Sequence, residues 1–209
     1  MSLSFPVSPS TGQVYQQWQW NGTAWVPATA AGVTSGNKVL LGSTVISAPV
    51  AAVNFFSPGF DGTYDQWELN IANAQGSAGG NLMLGFSSDG STIDATAGNY
   101  VPQYAWASTP NSAVNCATTG SATGLNLGMG LDTVASSGML VIARILQSAA
   151  GVQNITMWNG QQWSGGYGWS SFGGGLWGVS AGATIKGLRV YSASGNLVRG
   201  TIKLFGIVK

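Results

Sequence analysis

The chain of 209 residues contains no histidine. A Ser-His-Asp triad, a Cys-His dyad and an imidazole metal site all require that side chain, so these residues can build none of the three. A pH switch that depends on imidazole titration is excluded for the same reason. The missing histidine therefore removes much of enzyme chemistry.

Charged residues are also scarce, at 6% of the chain against roughly 25% in an average soluble domain. Seven Lys and Arg oppose six Asp and Glu, which leaves a net charge of +1. Such a balance provides neither a basic surface for nucleic acid nor a polybasic signal for a membrane surface. We expect no nucleic-acid partner.

A single cysteine, Cys116, cannot form an internal disulfide, so a disulfide-stapled scaffold is excluded and a small apolar filler is expected. The most apolar run, residues 139–146, is too short to span a bilayer and contains Arg144. Residues 1–14 lack the basic and apolar pattern of a standard export signal. We expect neither signal-dependent export nor membrane insertion.

Hydrophobic residues make up 44% of the chain, and their spacing favours strands. Residues 64–71 alternate, which places Trp67, Leu69 and Ile71 on one buried face. Glycine-containing turns at 88–91 and 193–196 supply the positive-φ positions that tight hairpins need. No segment has a helical period, so we predict an all-β fold, an antiparallel β-sandwich of the jelly-roll type. The other predicted strands are residues 81–86, 125–131, 140–146, 155–158, 185–191 and 201–208.

The composition changes early in the chain. Residues 28–36 carry no charge, no aromatic ring and no periodicity, so they are predicted to be a linker. It separates a small N-terminal module, residues 1–27, from the sandwich domain, residues 37–209. The module is too small to form a hydrophobic core of its own, so it is expected to pack against another surface.

One short pattern occurs twice, as WNGTAW at residues 20–25 and WNGQQW at residues 158–163. Asn-Gly can form a type I′ turn, which would place the two tryptophans of each copy opposite one another on a hairpin. The structural interpretation is a hairpin that is stabilised by its own aromatic pair.

The most unusual stretch is residues 157–178, in which large rings lie among glycine and serine. We predict a Gly-rich loop whose exposed rings stack on the C–H faces of a sugar while amides and hydroxyls bind its OH groups. The alternative is that the rings fill a subunit interface. The predicted carbohydrate-binding residues are Trp158, Trp163, Tyr167, Trp169 and Trp177.

Only six carboxylates are present, and Asp61, Asp65 and Glu68 form their one cluster in the sequence. A glycosidase would need two opposed carboxylates, and calcium would need oxygen ligands, but the spacing is diagnostic of neither. The simplest interpretation is solvated charges at strand ends. Asp89 and Asp132 are expected in turns. We predict no catalytic residue, no metal and no cofactor.

Several motifs resemble phage proteins. Residues 6–15 (PVSPSTGQVY) followed by 20–27 (WNGTAWVP) resemble a short module of phage tail and fibre proteins. Residues 60–69 (FDGTYDQWEL), 82–91 (LMLGFSSDGS) and 200–207 (GTIKLFGI) are similar in order and spacing to β-sandwich domains of phage fibres, spikes and gene-transfer-agent appendages. Phe205 stands where that last motif usually has tyrosine.

The resemblance implies a non-enzymatic virion protein with a lectin-like jelly-roll fold, made in the bacterial host cytoplasm and displayed on the particle. It implies contact with host surface polysaccharide and a homotrimer, which fits a chain with few charges to protect its sheet edges. From its position, the N-terminal module is expected to dock to capsid or tail proteins. Its attachment residues are predicted to be Tyr15, Trp18, Trp20 and Trp25. The alternatives are a purely structural decoration or connector protein and a capsule depolymerase that uses two of the six carboxylates.

Overall fold

A computed structural model describes residues 9, 14–15, 18–20, 23, 25–27, 38–56, 59–109, 114–118, 122–134, 137–148, 153–164, 167–178 and 183–208. These residues form fifteen strands and no helix, so the all-β prediction is confirmed. None of them belongs to a helix with the length and hydrophobicity that crossing a bilayer requires. The chain divides into two compact units, Met1–Val39 and Leu40–Lys209.

The first unit contains a small antiparallel sheet of β1 (Val14–Tyr15), β2 (Trp18–Trp20) and β3 (Trp25–Pro27) in that order. Trp20 lies opposite Trp25, as predicted for residues 20–25, and Tyr15 lies opposite Trp18. The predicted Asn-Gly turn and the predicted linker at 28–36 fall outside the described residues.

The second unit is a β-sandwich, as predicted. Its larger sheet has eight strands in the order β4-β15-β6-β11-β12-β13-β8-β9, and its smaller sheet has four in the order β10-β7-β14-β5. The two sheets pack face to face. The contact is seen at β10 of the smaller sheet, which lies against β8, β11, β12 and β13 of the larger one. The jelly-roll connectivity stays a prediction. The strands are β4 (Lys38–Ile46), β5 (Ala52–Phe55), β6 (Gln66–Gly76), β7 (Asn81–Ser87), β8 (Tyr100–Ser108), β9 (Asn115–Thr118), β10 (Leu125–Gly130), β11 (Gly138–Leu146), β12 (Asn154–Ser164), β13 (Tyr167–Trp177), β14 (Gly187–Ser192) and β15 (Leu197–Ile207).

Alternation along the strands places the core between the sheets. In β6, Trp67, Leu69 and Ile71 are buried as predicted, and in β11 every second residue from Met139 to Ile145 is buried. Gly90 and Gly195 have the expected positive φ of 82° and 73°. The strands that flank each of these turns belong to different sheets, however, so the turns link the sheets and do not close hairpins.

Residues 157–178 form strands, and the predicted Gly-rich loop is wrong. β12 and β13 pair along their whole length, from Asn154 opposite Trp177 to Ser164 opposite Tyr167. The turn predicted at residues 159–160 is also wrong, because Asn159 pairs with Ile142 on one side and Phe172 on the other. A residue held in a ladder on both sides stays extended.

The glycines of β13 provide space for core side chains. A β-carbon on Gly173 would collide with the Trp158 indole and lie 2.7 Å from the Gln103 carbonyl oxygen. A β-carbon on Gly175 would lie 2.6 Å from the Leu125 side chain. The expectation of exposed rings holds for Trp163, Tyr167 and Phe172, whereas the Trp158 ring is buried against the backbone of Gly173.

We predict that Gly173→Ala destabilises the fold by about 1–3 kcal/mol, the usual cost of overpacking a core. The Gln103 carbonyl oxygen belongs to a paired strand and cannot retreat without disturbing the ladder. Urea unfolding followed by tryptophan fluorescence measures the change.

Gly174→Ala is the matched control, because its β-carbon would meet only the Thr156 carbonyl oxygen at an ordinary 3.6 Å. Equal effects of the two substitutions would contradict the packing argument.

Candidate functional site

The structure separates the five predicted sugar-binding aromatics into two groups. Trp158 and Trp177 are core residues, with only 4% and 2% of their surface exposed. Trp163 and Tyr167 are 56% and 48% exposed, and Trp169 is half-buried. Rings as deeply buried as the first two have no face to offer a ligand, so only the other three can contact one.

A cleft of about 560 Å³ lies at the end of the larger sheet, where β12 and β13 meet. Trp163 lies opposite Gly168, and Trp169 lies opposite Gln162. The two indoles are therefore on opposite faces of the hairpin, and both border the cleft. Tyr167 pairs with Ser164 beside it and is not part of the lining. The described lining is Asn73, Thr109, Gly138, Met139, Leu140, Gln161, Gln162, Trp163, Gly168, Trp169 and Ser170.

A β-bulge shapes one wall of this cleft. The pairing of β6 with β11 shifts between Met139 and Val141, which leaves Asn73 in the left-handed region with φ of 56°. Asn73 is the only non-glycine residue with a positive φ among those the structure describes. Its Oδ1 accepts a hydrogen bond from Arg199 Nη2 at 3.1 Å. Bulges and unusual backbone angles are frequent beside binding sites.

The polar groups of the lining are partly occupied. Gln162 Nε2 donates to the Gly130 carbonyl at 2.8 Å, while Gln162 Oε1 is buried without a hydrogen-bond partner among the described residues. Thr109 Oγ1 accepts from the Gly168 N–H at 3.0 Å. A buried amide oxygen without a partner is unusual.

No carboxylate belongs to the described lining of this cleft. Together, two indoles, three side-chain amides and two hydroxyls offer apolar faces and neutral hydrogen-bonding groups. The described lining can therefore hold an uncharged polar molecule.

A second cleft, of about 540 Å³, contains two carboxylates, Asp89 and Asp94. The Thr92 and Ser91 N–H groups and the Ser87 hydroxyl hold the pKa of Asp89 far below its usual range. Both side chains fix local loops. Asp89 is thus a turn residue, as predicted.

Partial burial raises the pKa of Asp94, but the hydrogen bonds that it accepts outweigh this effect and hold the pKa below 3.8. The donors are Asn99 Nδ2 at 2.7 Å, the Thr96 N–H at 2.9 Å and Trp177 Nε1 at 3.0 Å. A carboxylate ionised in this way is a poor general acid at neutral pH.

Within the cluster of Asp61, Asp65 and Glu68, the expectation of a solvated charge is wrong for Glu68. Glu68 is buried, with 3% of its surface exposed, and its Oε2 lies 3.4 Å from Nε of the exposed Arg144. Asp61 is exposed and accepts from the Thr63 N–H at 3.0 Å. Within the described part of the chain, no group of three or more metal-ligating Cys, Asp or Glu side chains occurs.

Sequence reasoning located the Trp163 and Trp169 end of the cleft but missed its other walls. Asn73 and Thr109 are far from residues 157–178 in sequence, and they reach the cleft through strand pairing. The preference of asparagine for left-handed backbone was the one available signal at Asn73.

Asp132 was expected in a turn, and its oxygens accept from the Val134 N–H and the Ser137 hydroxyl.

We predict that Asp94→Asn lowers stability at neutral pH and that the difference from the native chain narrows as the solution is acidified. The folded pKa of Asp94 lies below 3.8, so its stabilisation is present above that pH and is lost as the pH falls through the folded value. Thermal unfolding between about pH 7 and pH 2 measures this. Asp61→Asn is the control, because Asp61 is exposed and its substitution should change stability less. A stability difference between Asp94→Asn and the native chain that stays constant at all pH values would contradict the prediction.

No protein-family model, curated protein or solved structure matches the chain. The likeness to phage appendage proteins therefore rests on the sequence motifs, and the functional argument rests on the geometry of the cleft.

Proposed function

We propose that this chain is a non-enzymatic structural protein of a phage or gene-transfer-agent particle, of the fibre, spike or receptor-binding type. Its sandwich binds host surface polysaccharide at the cleft at the end of the larger sheet, where β12 and β13 meet. The observation that supports this is the meeting of Trp163 and Trp169 with amide and hydroxyl groups in a cleft without a carboxylate among its described lining.

The chemistry of the cleft matches that of a sugar ring. Sugars present apolar C–H faces, which pack against aromatic rings, and hydroxyls, which exchange hydrogen bonds with amides. Trp163 provides an exposed indole, and Gln161 and Gln162 provide amides on the adjoining strand positions. The volume of about 560 Å³ lies within the range of small-ligand sites.

The N-terminal unit is proposed to attach the protein to the particle. Its strands have only two or three residues each, and its sheet has three strands. So small a sheet needs support from another surface. The partners are other virion proteins of the capsid or tail, and the assembled protein is a homotrimer on the particle surface.

A capsule depolymerase is a weaker candidate, because its catalytic acid would need a raised pKa. The pKa values of Asp89 and Asp94 are lowered, and Glu68 is committed to Arg144. A purely structural decoration or connector protein is the other alternative, in which Trp163 and Trp169 would contact protein.

We predict that Trp163→Ala and Trp169→Ala each weaken binding of host polysaccharide fragments at least about tenfold, which corresponds to roughly 1.4 kcal/mol. Each substitution removes a ring that borders the cleft. Calorimetry with short oligosaccharides measures the affinity of each variant without requiring assembled particles.

The control is Val45→Ala, which removes an apolar side chain that is 70% exposed on β4 and outside the cleft. Unchanged adsorption to host cells by the two tryptophan variants would favour the purely structural alternative. New reducing ends that are released by the native protein and lost in Glu68→Gln or Asp94→Asn would support the depolymerase.

We also predict that Trp20→Ala reduces the copy number of the protein on assembled particles, because it removes a predicted attachment residue that lies opposite Trp25 in the small N-terminal sheet. Quantitative mass spectrometry of purified particles measures this. A substitution in the predicted linker, Thr34→Ala, should leave the copy number unchanged. Full incorporation of the Trp20→Ala protein would contradict attachment through this module.

A further inference from the structure

The outward face of the larger sheet is unusually apolar. The side chains of β11, β12 and β13 that alternate with the core residues point away from the smaller sheet, and antiparallel sheets usually place polar residues there. Seven of these side chains are large, hydrophobic and between 37% and 61% exposed. One of them, Trp163, borders the cleft, and we call the other six the outer face. They are Leu140, Ile142, Leu146, Ile155, Met157 and Phe172.

Strand pairing makes these side chains contiguous. Leu146 lies beside Ile155, which in turn lies beside Leu176 of β13. Met157 occupies the next outward position on β12, two residues beyond Ile155. Side chains that are directly opposite or two residues apart are close enough to form one patch. Contiguous apolar patches of this kind mark interaction surfaces.

The charges on this surface are nearly balanced. Arg144 and Glu68 lie opposite one another on β11 and β6, with Arg144 Nε 3.4 Å from Glu68 Oε2. Lys203 of β15 projects to the same side, opposite Asn70. So little charge would neither repel an identical surface nor attract an anionic membrane.

The size of the surface suits a stable protein interface. β15, β6, β11, β12, β13 and β8 are neighbours in the sheet, and at about 4.8 Å each they span about 29 Å. β11 has nine residues, or about 30 Å of strand. The product is on the order of 850 Å², against roughly 800 Å² per partner in a standard interface. The outer face lies on three of these six strands, β11, β12 and β13, and covers about half of that area, so it forms the apolar centre of the surface and the flanking strands form its rim.

We propose that a second copy of this chain covers the outer face, so that copies assemble sheet against sheet through these residues. A surface that is apolar and nearly neutral can pack against an identical surface without opposing like charges. The inference rests on the homo-oligomer of the proposed function and identifies the surface that forms it.

Light scattering of the full chain at micromolar concentration, with Ile142→Glu and Met157→Glu, tests this assignment. The native protein is expected to have a multiple of the 21.4 kDa chain mass, and each variant is expected to fall to a single chain. Both positions are exposed in one subunit, so the variants should keep the circular dichroism spectrum and thermal transition of a folded sandwich. If a variant still associates in part, a dissociation constant between its subunits that is at least tenfold above the native value is the expected result.

The matched control is Val134→Glu, which adds the same charge at a residue that is 47% exposed in the loop before β11. It should leave the mass unchanged. A monomeric native protein, or folded variants that keep the native mass, would overturn the assignment and leave the surface to a different partner.

The oligomer interface and the sugar site can be tested separately. Ile142 and Met157 do not line the cleft, so their variants should bind oligosaccharide like the native chain. A dimer that the two substitutions dissociate would support the outer face as the interface and contradict the homotrimer. Loss of sugar binding by Trp163→Ala in an intact oligomer would support both proposals together.

Discussion

The packing of the Trp158 indole against the bare backbone of Gly173 is the contact on which the larger sheet depends. The ring occupies the space that any side chain at position 173 would need, with the Gln103 carbonyl behind it. The ring fits because position 173 has no side chain, and this contact lies within the pairing of β12 and β13, which have eleven residues each. Their alternation then fixes which aromatic residues enter the core and which reach the cleft or the outer face.

That alternation explains why an aromatic-rich segment serves three purposes. Trp158 and Trp177 fill the interior, where Trp177 packs on Phe86 at 5.2 Å between ring centroids and donates to Asp94. Trp163 and Trp169 lie near the end of the hairpin, where the sheet stops covering them. Phe172 points outward in mid-strand. Position along a strand, and not residue type, decides the environment of each ring.

The scarcity of charge has a structural counterpart. Asp89, Asp94 and Asp132 accept hydrogen bonds from nearby backbone and side-chain donors, and Glu68 lies beside Arg144. Three of these carboxylates fix loops and the fourth is paired with Arg144, so the outward sheet surface carries little unbalanced charge, although antiparallel sheets commonly place polar groups there. The small number of charged residues is consistent both with the uncharged described lining of the cleft and with a surface suited to another copy of the chain.

The sequence by itself determined the all-β class, the burial of Trp67, Leu69 and Ile71 and the Trp20–Trp25 pair, because two-residue periodicity and short hairpins are local properties. It also pointed to Trp163 and Trp169. Only the tertiary structure decided that Trp158 and Trp177 are core residues, that residues 159–160 are extended, and that Asn73 and Thr109 complete the cleft. These outcomes depend on which strands pair, and pairing between distant segments leaves no local trace in the chain.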